Sequence, residues 1–339
     1  MSRMIRFNRF GPADVLEFVE HSPSRPEPEE VVIATEAIGV GWRDVLWRQN
    51  LAQTKAALPA FIGAEMAGRV VEVGERVEQF APGDRVASIP AFDPNRYGTY
   101  GERIVLPQQA LIRYPDLLEP VQACIHYAPL LSSWLGLKEL AGIAPGDIVL
   151  ITAGCQLNGP YAIQMASVLG GRVIATTARE AHVDYLRELG AEWVIDTETR
   201  DLLSSIERIT HGKGVNIVLD ALGGPQMSLL GEVLAPCGRL ILYDMQGGNQ
   251  TSFPARAAFS KNIRFFLHCL SNFAGKPELG IEQNRDAMQR AIRAVDHFTL
   301  EGRLQPHVDR LFDFDEMVEA HRYLEKHRGP RGRIAVRVG

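Results

Sequence analysis

From Ile148 to Tyr243 the chain repeats one unit: an apolar run, a turn and a stretch of helical period that stops at or near a glycine. In the first copy Ile148–Thr152 reads as a buried strand. Ala162, Met165, Ala166 and Leu169 then fall at i, i+3, i+4 and i+7, one apolar face of a helix. Gly170–Gly171 ends that helix and Val173–Thr176 is the next strand. Predicted helices His182–Leu189, Leu202–Thr210 and Gln226–Leu234 stop at or near Gly190, Gly212 and Gly238. They lead into strands Trp193–Ile195, Val215–Leu219 and Arg239–Tyr243. This alternation implies a parallel, doubly wound α/β sheet with right-handed crossovers. Ligands of such sheets lie at the carboxyl ends of the strands. The turns Ala153–Gly159, Thr176–Arg179, Asp220–Gly224 and Tyr243–Gly247 are therefore expected around one crevice.

A strand–turn–helix unit of this kind holds the pyrophosphate of a dinucleotide at the helix N-terminus. Its usual fingerprint is G-x-G-x-x-G. Here Gly154 and Gly159 flank Cys155, Gln156, Leu157 and Asn158, and Gln156 takes the middle glycine's place. The amides of Gln156 and Asn158 either compensate for that glycine or fill the phosphate space. Binding of NAD calls for an acidic residue at the end of the second strand. That end reads Ala175–Arg179 and has none, whereas Thr176, Thr177 and Arg179 suit a 2′-phosphate. NADPH is the expected cofactor, the alternative being that Arg179 is a solvated surface arginine. Leu222 and Tyr243 belong to the same crevice, as nucleotide contacts or as packing. Cys155 stands at a helix N-terminus, where the dipole lowers a thiol pKa, or it is structural.

The flanking regions read differently. The first third carries β-branched runs at Val31–Ala34 and Arg69–Val73, punctuated by PGD at Pro82–Asp84 and PNRYG at Pro94–Gly98. That pattern suggests a β-rich domain. Residues 119–141 look helical. Helices Asn284–Glu301 and Phe314–Lys326 and a strand Arg333–Val338 are read as a tail that completes the first domain. The expected division is thus 1–120 with 265–339, and 121–264. A length of 339 residues favours two domains, and a net charge of -5 gives no reason to expect nucleic acid or a membrane as partner. No apolar run is long enough for a signal peptide or a membrane span, and Cys124, Cys155, Cys237 and Cys269 are scattered. A reducing cytoplasm is the expected location.

Landmarks line up along nearly the whole chain. They include FGPADVLEF at Phe10–Phe18, AIGVGWRDVLWR at Ala37–Arg48, LPAFIGAEMAGRVVEVGERV at Leu58–Val77 and GTYGER at Gly98–Arg103. PGDIVLITA at Pro145–Ala153, GKGVNIVLDALGG at Gly212–Gly224 and GPRGRIAVRV at Gly329–Val338 follow in order. Together they resemble the medium-chain dehydrogenase/reductase superfamily, nearest its zinc-free quinone oxidoreductases and enoyl reductases. The resemblance implies a GroES-like β domain plus a Rossmann domain. In the family's alcohol dehydrogenases, zinc ligands stand where this chain has Gly41 and Ala64, and the four-cysteine zinc lobe is also missing. Neither residue offers a donor atom, so no metal is expected.

What remains is transfer of hydride from NADPH to a quinone or an activated C=C bond, in an α,β-unsaturated carbonyl or an enoyl thioester. The alternative is a relative whose cofactor site has degenerated, acting as a redox-neutral or binding protein.

The resemblance also proposes residues. Ser132, with Ser133, stands where the family shows a Thr-Ala pair beside the nicotinamide, or is a helix-start serine. Arg331 lies where relatives place a cation near the cofactor, or at the surface. Asp44 retains an acid of its segment, as a weak catalytic candidate or as a loop-ordering group. The position of the enoyl reductases' catalytic tyrosine falls near Ala52. Trp42, Trp47, Phe92, Tyr97 and Phe266 line a flat apolar substrate pocket or belong to the core. Family habit suggests a homodimer through the Rossmann sheet.

Overall fold

The computed structural model describes residues 2–21, 25–248, 250–276, 279–327 and 331–339. Its chain divides into two compact units, Met1–Ala128 with Pro306–Gly339, and Pro129–Gln305.

The first unit is built from β1 (Ser2–Phe7), β2 (Leu16–His21), β3 (Glu30–Val40), β4 (Ala60–Phe61), β5 (Glu65–Val73), β6 (Arg85–Ser88), β7 (Arg103–Pro107) and β8 (Leu111–Arg113). A small sheet runs β2-β1-β4. β3 is the spine of the larger one: it is 11 residues long, almost wholly buried, and pairs antiparallel with both β5 and β7. Its run of Val31, Val32 and Ile33 is apolar on both faces, which suits a strand covered on both sides. The helix Trp42–Arg48 follows β3 directly, with Asp44 closing its first turn onto the Gly41 N–H.

The second unit contains β9 (Ile148–Ile151), β10 (Arg172–Thr177), β11 (Trp193–Asp196), β12 (Val215–Asp220), β13 (Leu234–Leu242) and β14 (Arg264–Leu267). All five pairings are parallel and the order is β11-β10-β9-β12-β13-β14. Numbered within the unit, that order is 3-2-1-4-5-6, the doubly wound dinucleotide-binding arrangement, with its switch point between β9 and β12. Leu150, Ile174, Val218 and Leu240 form the middle of the sheet and are at most 1% exposed.

The chain then returns to the first unit as β15 (Val308–Asp313) and β16 (Arg333–Arg337), and β16 pairs antiparallel with β3. The return comes later than the division at 265 expected above. β14 adds to β13 as the sixth strand. The helix Arg285–Leu300 buries Ala287, Met288, Ala291 and Val295 within the second unit. An amphipathic stripe shows that a helix has a core to face, but not which core. Among the described residues no disulfide joins the cysteines, and no helix is long and apolar enough to cross a membrane.

Candidate functional site

In the second unit the turn after β9 is held from its neighbour. The Ala153 N–H donates to Thr176 Oγ1 at 3.1 Å and the Gly154 N–H to the Thr176 carbonyl at 2.8 Å. Gly159 opens the helix Gly159–Val168, and a Cβ there would lie 2.5 Å from the Ala153 and Gly154 carbonyl oxygens. Only glycine closes the turn so tightly. The other positions break the rule. Ala153 and Leu157 take left-handed φ values of 51° and 42°, which cost non-glycine residues about 1–2 kcal/mol each. Pro160 removes one N–H from the helix's first turn. Cys155 and Leu157 are buried, while Gln156 and Asn158 are half-buried.

The expected 2′-phosphate cluster is only partly available. Thr176 accepts from the turn, and Thr177 Oγ1 exchanges hydrogen bonds with the Arg179 backbone at 3.2 and 3.3 Å. Both threonines are buried, because their hydroxyls fasten the strand end rather than face outward. Arg179 is exposed. Cys155 Sγ stands 3.1 Å from His182 Nδ1, a pairing that nothing local in the sequence signals.

Across the switch point Asp220, fully buried, accepts from Thr152 Oγ1 at 2.5 Å, the Gly223 N–H at 2.8 Å and the Leu222 N–H at 3.3 Å. Burial raises its pKa and these donors oppose the rise. Tyr243, at the end of β13, is buried with no partner for its hydroxyl among the described residues, and burial raises its pKa. His268 follows β14. Its Nε2 lies 2.9 Å from the Ser132 carbonyl, which only accepts, so the neutral ring carries its proton there. Ser132 Oγ is 3.1 Å from the same nitrogen, and Nδ1 has no partner among the described residues. Burial lowers the His268 pKa to about 4. Ser133 bonds back to the Pro129 carbonyl at 2.8 Å.

These features fit a dinucleotide on the carboxyl edge. The turn is closed by Gly159, half-buried amides flank it, and the orphaned polar atoms of Tyr243 and His268 lie along the strand ends. Gln156, Asn158 and Arg179 are the groups that would hold phosphates, and Ser132, Leu222 and Tyr243 the remaining strand-end contacts.

The first unit holds a buried polar chain. Arg48 pairs with Glu325 at 2.5 Å and donates from Nε to His321 Nδ1 at 3.2 Å. His321 is kept neutral, its pKa lowered to about 3 by burial and by Arg48, so its proton is on Nε2. That nitrogen is 3.2 Å from the Tyr100 hydroxyl, which donates to Asp44 Oδ2 at 3.1 Å. Burial pushes the Asp44 carboxyl up to about 6. Donation from the Gly41 N–H and Tyr100 opposes the rise, and the neighbouring Glu65 adds to it.

A Cβ on Gly41 would lie 3.2 Å from Arg333 Nη2, and that guanidinium pairs with Glu65 at 2.5 Å. A buried cation therefore crowds the position where the family's zinc enzymes carry cysteine. Arg331 is exposed, its N–H bonded to Asp309; the buried arginine of this strand is Arg333. Tyr100 and Arg333 lie in the family landmarks, but neither motif states which side chains turn inward.

The aromatic candidates are divided between the two units. Trp47 is a core residue whose Nε1 donates to the Phe61 carbonyl at 2.9 Å. Phe92 meets Tyr97 edge-on at 6.1 Å, and the Tyr97 hydroxyl donates to Glu30 at 2.7 Å. Trp42 keeps a buried Nε1 without a partner among the described residues. Phe266 lies on β14 in the second unit, beside Ile241 of β13.

Residues 159–289 match the family model for zinc-binding dehydrogenases, and residues 27–116 the alcohol dehydrogenase GroES-like domain. The chain is 28% identical over 320 residues to a quinone oxidoreductase-like protein 2 homolog of Nematostella vectensis, covering 94% of this chain and 84% of that one. It is 28% identical over 279 residues to a quinone oxidoreductase of Pseudomonas aeruginosa, covering 82% and 84%. Its fold matches that of Escherichia coli quinone oxidoreductase complexed with NADPH, with a TM-score of 0.88 at 23% identity over 99% of this chain and all of the other.

Proposed function

Because this chain belongs to the medium-chain dehydrogenase/reductase superfamily, in its quinone oxidoreductase and enoyl reductase branch, we propose a zinc-independent, NADPH-dependent reductase of quinones or activated C=C bonds. The observation that carries the reading is the 3-2-1-4-5-6 sheet, with a glycine-closed turn and orphaned polar atoms along its carboxyl edge. The Escherichia coli neighbour was crystallised with NADPH, which supports a nicotinamide nucleotide here. Bound on that edge, the nucleotide supplies hydride, and a conjugated carbonyl on the substrate takes up the charge.

The chain's own part is positioning. The amides of Gln156 and Asn158 bind phosphate, Arg179 selects a 2′-phosphate, and Ser132 is oriented by His268. Asp44 orders the Gly41 turn. The Arg333–Glu65 pair beside Gly41 supports zinc independence, because it crowds the position with a cation. A homodimer through the second unit's sheet is supported by β14, an edge strand with Leu267 72% exposed. Phe259, 90% exposed, belongs to the same unit. A reducing, cytoplasmic setting remains part of the proposal.

Calorimetry with NADPH and NADH, followed by hydride transfer from deuterated NADPH to a quinone and to an enone, tests the reading. Deuterium in the product with NADPH bound more tightly is expected. A second reading, a redox-neutral binding protein, is favoured by the strained Ala153 and Leu157 and by Pro160. No heat with millimolar nucleotide would establish it in place of the first.

A further inference from the structure

The second unit has a separate concavity that shares no lining residue with the carboxyl-edge crevice. It is a cavity of about 590 Å³ beside β11, one edge of the sheet, and Ile148, Arg172 and Trp193, the first residues of three strands, line it. That volume lies within the ordinary range of small-molecule sites. Its charge is anomalous. The chain as a whole has 36 Lys and Arg against 41 Asp and Glu. This cavity is lined by Arg172, Arg187, Arg200, Arg208 and Lys213 against one carboxylate, Glu192. Glu192 is already taken by a two-pronged contact from Arg172 at 2.9 and 2.6 Å. Arg187 reaches Asp184 at 3.4 Å. Arg200, Arg208 and Lys213 make no ion pair among the described residues. Three uncompensated cations around one concave space attract an anion, and the low-dielectric wall strengthens the field.

The wall is apolar. Trp193 is half-buried with its ring under the Arg172 guanidinium at 4.7 Å, and Ile148 and Ile209 complete it. We propose that this cavity binds a phosphate monoester of a flat apolar group. The dianion would meet Arg200, Arg208 and Lys213, and the flat group would lie against Trp193 and the isoleucines. Guanidinium forks match phosphate oxygens, and several cations match a double charge. A solvated basic face would bind phosphate weakly and without regard to its substituent. An acidic peptide would need the strand edge and no concavity.

The test is calorimetric titration of the full chain, with saturating NADPH and about 0.15 M NaCl, using 1-naphthyl phosphate and then inorganic phosphate. One site for 1-naphthyl phosphate at submillimolar Kd is expected, with inorganic phosphate at least fivefold weaker. The triple variant Arg200→Ser, Arg208→Ser, Lys213→Ser should weaken 1-naphthyl phosphate at least tenfold and leave NADPH affinity within twofold. The proposal is overturned by absent heat at 5 mM, by equal binding of the two phosphates or by an unchanged triple variant. It is also overturned if NADPH and phosphate binding fall together, or if a glutamate-rich peptide binds in preference. The inference is independent of the reductase reading, since the variant comparison reads the same in a chain that binds no nucleotide.

Discussion

Two buried carboxylates, one in each unit, face the same desolvation and meet it differently. Asp220 collects three donors, two of them backbone N–H groups that cannot move away. Asp44 collects two, the Gly41 N–H and the Tyr100 hydroxyl, and has Glu65 as a like-charged neighbour. Burial raises both; the one is tied into a turn by its donors, and the other, with fewer donors and a like-charged neighbour, is pushed up to about 6. The first is architecture at the switch point. The second is a group whose protonation changes within the physiological range.

The largest effect should come from removing the better-satisfied acid. Asp220→Ala strands the Thr152 hydroxyl and the Leu222 and Gly223 N–H groups, and is expected to cost about 4 kcal/mol in urea unfolding. A loss under 1 kcal/mol would erase the contrast.

Next is the pH dependence due to Asp44. An acid that ionises at about 6 when folded and near 3.8 when unfolded contributes full stability below pH 3.8, and that contribution is lost as pH rises through 6. The loss is on the order of 3 kcal/mol in all, roughly half of it between pH 5 and 7.5. Urea melts of wild type minus Asp44→Asn should fall by that half across the interval. A flat difference would mean that Asp44 is already ionised.

Thr152→Val takes one donor from Asp220 and the acceptor from the Ala221 N–H, and should cost about 2 kcal/mol with little change in pH profile. The smallest effect is that of Tyr100→Phe. With one donor fewer, the Asp44 midpoint should rise above 6 at a stability cost of about 1 kcal/mol, read from the same melts. A midpoint that fell would show that the phenol opposes the charge.

The parallel sheet was legible because each of its strands in the Ile148–Tyr243 repeat is an apolar run preceded by a glycine. The crevice turns follow from the topology alone. The return comes later than the division at 265 because Arg264–Leu267 pairs with β13, a tertiary pairing that no local pattern states. Within the site, Asp44 was legible through the family resemblance alone, as the acid its segment retains. His321, which completes its network, lies on a distant helix whose sequence looks like any amphipathic surface helix. The Ser132–His268 contact spans 136 residues, and the Cys155–His182 contact joins two turns. Such contacts are created by packing and leave no spacing to read.

The pairing of β16 with β3 has a consequence for synthesis on the ribosome. β3 emerges early, yet its partner is made only after residue 332, when every strand of the second unit already exists. The later-encoded sheet can therefore close first, while the Ala37–Val40 end of β3, beyond its pairing with β7, waits with an open edge. Until β16 emerges, that edge is a segment on which a chaperone, or another unfinished copy of the chain, gains by pairing.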